Sequence, residues 1–183
     1  PPYVDLSFYN RNFSKCAYEF QREGITFIEK TQLNCLIADE QGLGKTIQAL
    51  VAIKRSIDLV GPIGIVVKGS LIFQWHHQFV DWVSANIGDC IPVTKRAHLM
   101  PGFKCYIFSM DMLAKKDFVN QLLGLGLKTL ILDEVQCFKD DGAARTKGLI
   151  NLIKLGQIKY KIALSGTPIK NRADEYFTIL NIL

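Results

Sequence analysis

Short apolar runs alternate with amphipathic helical patterns along most of this 183-residue chain. Residues 33–38 and 128–132 are two such runs, and short segments in which apolar residues predominate are typical of strands buried on both faces of a parallel sheet. Between the runs apolar side chains recur at helical spacing, as they do from Ile47 to Ile53. Six strand candidates that alternate with helices predict one α/β domain, a mostly parallel sheet with helices on both faces.

A glycine-rich loop joins the first apolar run to a helix predicted to begin near Lys45. Gly42 and Gly44 can adopt backbone angles that other residues avoid, so successive amide N–H groups can point at phosphate oxygens. Lys45 supplies a cation for the β- and γ-phosphates, and the Thr46 hydroxyl is suited to Mg²⁺. The general P-loop (Walker A) pattern requires glycine where this chain has Asp39, so an ordinary glycine-rich turn remains the alternative for the loop by itself.

Two acidic residues, Asp133 and Glu134, directly follow the apolar run 128–132, as in a Walker B motif. Open α/β sheets bind ligands at the carboxyl ends of their strands. There Asp133 can complete the shell of Mg²⁺ while Glu134 orients and deprotonates an attacking water. An isolated Asp-Glu pair is usually a solvated turn, but downstream of a P-loop we interpret it as catalytic. The sequence therefore predicts an ATP and Mg²⁺ site with Lys45, Asp133 and Glu134 as its catalytic residues.

Residues 39–48 read D-E-Q-G-L-G-K-T-I-Q and resemble the D-E-x-G-L-G-K-T-I-Q signature of the Snf2 group in helicase superfamily 2. Asp39 is part of that signature, which accounts for its departure from the general P-loop. Snf2-like segments follow the family's order from Tyr18 to Leu180: a Q motif at 20–24, motif Ia at 65–82, motif Ib at 105–113, motif II at 133–136 and motif III at 162–171. The resemblance implies a RecA-like P-loop lobe, residues 1–183, as the first of two lobes in a motor, with the second lobe expected beyond Leu183.

The same resemblance assigns nucleotide contacts. Gln21 matches the family's Q-motif glutamine, which reads the adenine edge because a carboxamide can donate and accept together. Without the resemblance Gln21 would be an ordinary polar helix residue. The phosphates are expected to lie against the loop and the first turn of the helix, with Thr46 and Asp133 on Mg²⁺: Gln41, Gly42, Leu43, Gly44, Lys45 and Thr46.

Motif III and the last residue of motif II are expected to couple the nucleotide to DNA. Ser165, Gly166 and Thr167 match the segment that, by resemblance, links the γ-phosphate region to the DNA groove. Gln136 stands where most Snf2 proteins have a histidine that hydrogen-bonds toward motif III. Glutamine keeps a donor and an acceptor but cannot become cationic, so we expect ATPase activity to survive and coupling to DNA to be altered. Residues 165–168, together with Arg172, Glu175 and Tyr176, resemble the subgroup that contains the annealing helicases, and residues 20–22 agree with that resemblance.

Duplex DNA is the partner that the resemblance implies, bound along loops beside the nucleotide. In motif Ia one face of the predicted helix is apolar, and we interpret it as a stripe facing the core: Leu71, Trp75, Phe79 and Trp82. In motif Ib, Asp111 is expected to cap the following helix. The side chains expected to contact the DNA backbone lie in the loops: Lys68, Ser70, Ser109, Lys139, Lys170 and Asn171.

Charge and cysteine content agree with this interpretation without determining it. The net charge is +5, and residues 139–183 hold 8 basic and 4 acidic residues, although any single lysine there can equally belong to a solvated face. No apolar run approaches the ~20 residues that span a bilayer. Five cysteines, odd in number and without a C-x-x-C pair, favour reduced thiols in a soluble intracellular protein. No oligomer is implied.

Two other functions remain open on sequence grounds. One is a strand-separating DNA or RNA helicase of the same superfamily, which would need an unwinding wedge. The other is a nucleotide-dependent interaction module that has lost catalysis, against which the intact Lys45, Asp133 and Glu134 argue. Arginine fingers are worth about 10³ to 10⁵ in turnover and belong to the second lobe, so an isolated first lobe is expected to hydrolyse ATP poorly.

Overall fold

The computed structural model describes residues 18–56, 60–84, 86–167 and 173–183, the last segment with its side chains from residue 177 onward. Within these residues six strands form one sheet: β1 (Asn34–Ile37), β2 (Ile63–Val67), β3 (Cys90–Val93), β4 (Cys105–Ser109), β5 (Thr129–Leu132) and β6 (Tyr160–Leu164). Their order across the sheet is β1-β6-β5-β2-β4-β3, and every neighbouring pair is parallel. The predicted parallel sheet is confirmed.

Helices cover both faces of this sheet: α1 (Glu19–Lys30), α2 (Lys45–Arg55), α3 (Ile72–Trp82), α4 (Lys116–Gly124), α5 (Ala144–Gly156) and α6 (Ala173–Ile182). The buried side chains of α1, α2 and α3 belong to one apolar cluster, and those of α4, α5 and α6 belong to a second. Strand residues alternate between the clusters, because Ile65 and Val67 join the first and Val66 joins the second. This alternation explains why β2 and the interiors of β4, β5 and β6 are apolar on both faces of the sheet.

The loops that carry the predicted motifs all leave the sheet at the carboxyl ends of its strands. In the parallel register Ile37 of β1 lies beside Leu164 of β6, and Ala163 lies beside Leu132 of β5. Farther along the sheet, Val67 of β2 lies beside Ser109 of β4. The P-loop, motif III and motif II therefore emerge from adjacent strands, next to the loops that carry motifs Ia and Ib.

Strand β3 lies within residues 88–102, a stretch that begins and ends with glycine, as loops between strands and helices often do. Its four residues pair with β4 at the edge of the sheet, with Pro92 beside Ile107. Proline lacks a backbone N–H and is tolerated at an edge, where one side of the strand needs no partner. The flanking glycines and this proline hid a strand.

One helix contact depends on glycine. Gly148 of α5 packs against the 3₁₀ helix Met110–Ala114, and a Cβ at this position would overlap the backbone carbonyl of Leu113. Gly124, the last residue of α4, has no heavy atom within 4 Å of the equivalent point. A side chain would therefore clash at Gly148, whereas there is room for one at Gly124.

The cysteines that the structure describes carry free thiols, of which Cys35, Cys90 and Cys105 are buried and Cys137 is half-buried. Burial raises the pKa of the Cys35 and Cys105 thiols. Cys16 lies outside the described residues. None of the helices in the described part of the chain combines the length and apolar character needed to cross a membrane.

Candidate nucleotide-binding site

The P-loop enters α2 through two glycines in left-handed conformations. Gly42 has φ of +87° and Gly44 has φ of +76°, angles that favour glycine. Gly44 is the N-cap of α2 and provides no side-chain cap, so the first amides of the helix point toward the loop without a side-chain acceptor on the capping residue. A helix terminus of this kind is suited to bind phosphate.

Lys45 closes the P-loop in this structure. Its Nζ donates hydrogen bonds to the carbonyl oxygens of Asp39 and Glu40, both at 2.7 Å. Thr46, the next residue of α2, is half-buried. The lysine ammonium is thus held within the loop by two neutral carbonyl oxygens. Phosphate oxygens would be stronger acceptors for it, because they carry negative charge.

Asp39 has a structural partner that explains its place in the loop. Its Oδ2 accepts a hydrogen bond of 3.1 Å from Nε2 of Gln48, a fully buried residue of α2. A Cβ at Gly24 of α1 would overlap the Gln48 side chain, so the two helices approach closely here. The first and last residues of the signature at 39–48 therefore contact each other.

Gln21 links α1 to the P-loop. Its Oε1 accepts from the Tyr18 amide at 3.2 Å, and its Nε2 donates to the Leu43 carbonyl at 3.1 Å. A Cβ on Gly44 would lie 2.5 Å from the same Nε2. Beside it the exposed rings of Tyr18 and Phe20 stack with centroids 5.6 Å apart. Adenine recognition by Gln21 stays a prediction, and the structure adds a contact that positions the loop.

Asp133 receives a hydrogen bond that the sequence interpretation missed. The indole Nε1 of Trp75 donates to Asp133 Oδ2 at 3.0 Å, from a residue 58 positions away. Burial raises the pKa of the Asp133 carboxyl, and the Trp75 hydrogen bond opposes that rise. Trp75 does lie in the core, as its helical stripe predicts. The signal for a second role was the residue type, because a buried indole N–H usually needs a partner.

A chain of hydrogen bonds joins Glu134 to motif III. Glu134 has a left-handed backbone conformation at φ of +51° and precedes the 3₁₀ helix Val135–Phe138. Gln136 Nε2 donates to Glu134 Oε2, and Gln136 Oε1 accepts from Ser165 Oγ at 2.7 Å. The Thr167 amide donates in turn to Ser165 Oγ at 3.2 Å. Gln136 therefore uses its donor and its acceptor at once.

Motif III also touches the P-loop. A Cβ at Gly166 would lie 2.6 Å from Cγ of Gln41, so the backbone at Gly166 packs against the Gln41 side chain. Gln41, Gly42 and Leu43 are exposed at the rim of the loop. The P-loop, motif III and motif II therefore lie together at the carboxyl ends of β1, β6 and β5.

The residues present fit a nucleotide triphosphate with Mg²⁺. The Asp133 carboxylate and the Thr46 hydroxyl supply oxygen ligands, which Mg²⁺ prefers. Thr46 lies in the first turn of α2, directly after the P-loop, and Asp133 directly follows β5. Among the described residues no group of three or more His, Cys, Asp or Glu side chains is placed to hold a metal. Mg²⁺ bound with a nucleotide usually takes one or two carboxylates, phosphate oxygens and water rather than a protein cage.

The predicted DNA contacts separate into three groups. Lys68 and Ser70 are exposed on the turn after β2, and Ser109 lies beside them at the end of β4. Ser109 also accepts from the Asp111 amide at 3.2 Å, so Ser109 and not Asp111 caps the 3₁₀ helix that follows, and the expectation for Asp111 was wrong. Lys139 is exposed after motif II. Lys170 and Asn171 lie outside the described residues.

A sequence profile of the SNF2-related domain matches residues 20–183. The chain belongs to the SNF2-related domain family. The RecA-like fold is confirmed, since the structure of this SNF2-related domain aligns with the Sulfolobus solfataricus SWI2/SNF2 ATPase core in complex with dsDNA at a TM-score of 0.66. That alignment covers 90% of this chain and 35% of the other, at 22% identity.

Relatives of this SNF2-related domain include a Bos taurus SWI/SNF-related matrix-associated actin-dependent regulator of chromatin subfamily A-like protein 1, 34% identical over 97% of this chain. The Mus musculus DNA annealing helicase and endonuclease ZRANB3 is 29% identical over 99%, and the Danio rerio Chromodomain-helicase-DNA-binding protein 8 is 27% identical over 90%. The family prediction is confirmed, and an annealing helicase is among the relatives. The chain spans 18%, 17% and 7% of these three proteins.

Proposed function

We propose that this chain is the ATP-binding lobe of a DNA-dependent ATPase that couples ATP hydrolysis to translocation on, or remodelling of, double-stranded DNA. The observation that carries the proposal is the hydrogen-bonded path from Glu134 through Gln136 to Ser165 and Thr167. It connects the proposed general base to the segment expected to respond to DNA.

The binding step assigns a movement to Lys45. Its ammonium leaves the two loop carbonyls and pairs with the β- and γ-phosphates, while the amides at the start of α2 face the same oxygens. Thr46 and Asp133 would hold Mg²⁺, which would supply positive charge beside the transferred phosphoryl group. Gln21 keeps the loop attached to α1 during this exchange.

The hydrolytic step assigns a proton to Glu134. The carboxylate accepts a proton from the attacking water and is held in orientation by the Gln136 amide. The Gln136 amide supplies this hydrogen bond without carrying a positive charge.

The DNA part of the proposal rests on the exposed Lys68 and Ser70 beside Ser109, and on the likeness of the fold to an SNF2 ATPase core in complex with dsDNA. Backbone contacts of this kind position a duplex without reading its sequence. A second lobe is part of the same proposal, because the relatives extend far beyond the matched region. It would supply the arginines that this type of chemistry uses.

The first test measures binding of a fluorescent ATP analogue with Mg²⁺ to this chain. Lys45→Ala should weaken binding at least about tenfold because it removes the phosphate cation. Glu134→Gln should retain binding, and Lys154→Ala, an exposed lysine in the last turn of α5, serves as the control. Equal binding by the Lys45→Ala and unmodified chains would overturn the nucleotide site.

The second test measures ATP turnover by the full-length protein with and without duplex DNA. Duplex DNA should stimulate turnover, and Glu134→Gln should abolish it. A translocase should also displace the third strand of a triplex, whereas a strand-separating helicase should unwind a duplex. Turnover above about 1 s⁻¹ from residues 1–183 alone would contradict the need for a second lobe.

A further inference from the structure

Trp75 contacts the carboxylate at which Mg²⁺ is expected. The side chain is almost fully buried in the apolar cluster that packs α3 against the sheet, and its indole Nε1 donates to Asp133 Oδ2 at 3.0 Å. Asp133 is also fixed through its backbone, since its amide donates to the Val66 carbonyl at 2.9 Å. Asp133 is therefore held by one hydrogen bond through its backbone amide and by another through its side-chain Oδ2.

The indole N–H distinguishes Trp75 from the other apolar residues of the stripe. Phenylalanine would fill much of the same space, but it offers no donor to the carboxylate. A hydrogen bond to a charged group is stronger than one between neutral groups, and it also fixes the rotamer of the acceptor. The indole engages Oδ2, and the backbone amide of Glu134 also hydrogen-bonds to the Asp133 carboxylate.

We propose that Trp75 is a positioning residue that holds Asp133 in the orientation that binds Mg²⁺. The inference rests on the proposed ATP and Mg²⁺ site and adds a residue to it. Partners that orient a metal ligand typically account for about 10-fold to 100-fold in metal affinity. Trp75 thus sets the Mg²⁺ concentration at which the nucleotide is held, without itself touching metal or nucleotide.

The position of α3 gives this contact a second consequence. The helix begins directly after the 3₁₀ turn Gly69–Leu71, which carries Ser70 and follows Lys68. The same element therefore presents the proposed DNA-contact loop at its amino end and a support for the metal ligand one turn later.

The first experiment measures binding of fluorescent ADP to the chain as free Mg²⁺ is varied. Trp75→Phe should raise the half-saturating Mg²⁺ concentration about 10-fold or more while nucleotide affinity at saturating Mg²⁺ stays within about twofold. The control is Trp82→Phe, the same substitution two turns along α3, which should leave both values unchanged. Circular dichroism establishes that each variant is folded.

Two outcomes would overturn the proposal. One is a folded Trp75→Phe chain with the Mg²⁺ dependence of the unmodified chain. The other is an equal loss of nucleotide affinity at every Mg²⁺ concentration, which would indicate altered packing. If the unmodified chain binds no nucleotide at any Mg²⁺ concentration, the proposed function itself fails, so the two failures are distinguishable.

A second experiment keeps Trp75 in place and does not depend on the folding of its variant. The chain has two tryptophans, so Trp82→Phe leaves Trp75 as the sole indole reporter. Its emission should shift when Mg²⁺ and ADP are added, and the added substitution Asp133→Asn should abolish the shift. An absent shift in the Trp82→Phe chain, or an undiminished shift with Asp133→Asn, would contradict the proposal.

Discussion

Gln136 offers the sharpest energetic prediction, because both ends of its side chain are engaged. In Gln136→Ala the Glu134 carboxylate loses a donor and the buried Ser165 hydroxyl loses its acceptor. A neutral hydrogen bond contributes about 1 kcal/mol net, and one to a charged group about 1.5 to 3 kcal/mol. Glu134 is half-buried, so the lower end applies to that bond, and the expected loss is about 2 to 3 kcal/mol in the free energy of unfolding.

The measurement is a double-mutant cycle with Ser165→Ala in urea denaturation. The Gln136–Ser165 hydrogen bond is lost in either single variant, so the double variant should be less destabilised than the sum by about 1 kcal/mol. In a domain of this size the Gln136→Ala loss corresponds to a fall of about 4 to 12 °C in melting temperature. Single effects that add to within about 0.3 kcal/mol would refute the reasoning.

The same position tests the coupling role in the full-length protein. Gln136→Ala should reduce the stimulation of ATP turnover by duplex DNA more than the basal rate, because it cuts the path to motif III. Gln136→His restores a donor and an acceptor on one side chain. Unchanged basal and DNA-stimulated turnover in Gln136→His would refute the idea that glutamine alters coupling.

Two further predictions concern the helix contact and the DNA loop. Gly148→Ala should destabilise the chain by about 1 to 3 kcal/mol, because the added methyl overlaps the Leu113 carbonyl, whereas Gly124→Ala meets open space and should be neutral or stabilising by up to about 1 kcal/mol. Equal urea midpoints for the two variants would contradict the close packing of α5. Lys68→Ala in the full-length protein should weaken duplex DNA binding and reduce the log affinity versus log salt slope by about 1, while Lys154→Ala should not. A slope unchanged by Lys68→Ala would remove this lysine from the DNA contact.

Local patterns predicted the elements that depend on local forces. The apolar run before Asp133 is a strand buried on both faces, and α2 begins at Lys45 as the glycine-rich loop predicted. The sequence pattern did not predict β3, because Pro92 is more typical of a loop than of a strand. Proline is tolerated there because β3 pairs with β4 at the edge of the described sheet. An edge position is a property of the assembled sheet and leaves no local pattern.

In the candidate site, too, features that depend on local sequence could be predicted, and contacts that depend on the assembled fold could not. The P-loop and motif II could be predicted because each combines a strand end with adjacent residues of the types that bind phosphate and Mg²⁺. The Trp75–Asp133 hydrogen bond could not, since it joins residues 58 positions apart through the packing of α3 on the sheet. The Gln136 side chain was expected to hydrogen-bond toward motif III. Only the folded chain shows that the Ser165 hydroxyl donates this hydrogen bond to Gln136 Oε1.

The strand order has a consequence for how this chain is made. Strand β1, which leads into the P-loop, pairs with β6, the last strand in sequence, with Asn34 beside Lys161. During synthesis the first strand must wait for more than a hundred residues before its neighbour leaves the ribosome. Pairings this distant in sequence form slowly and leave apolar surface exposed in the meantime. The glycine-rich loop after β1 is therefore assembled late, and a nascent chain completes the proposed nucleotide site only when the described sheet is nearly complete.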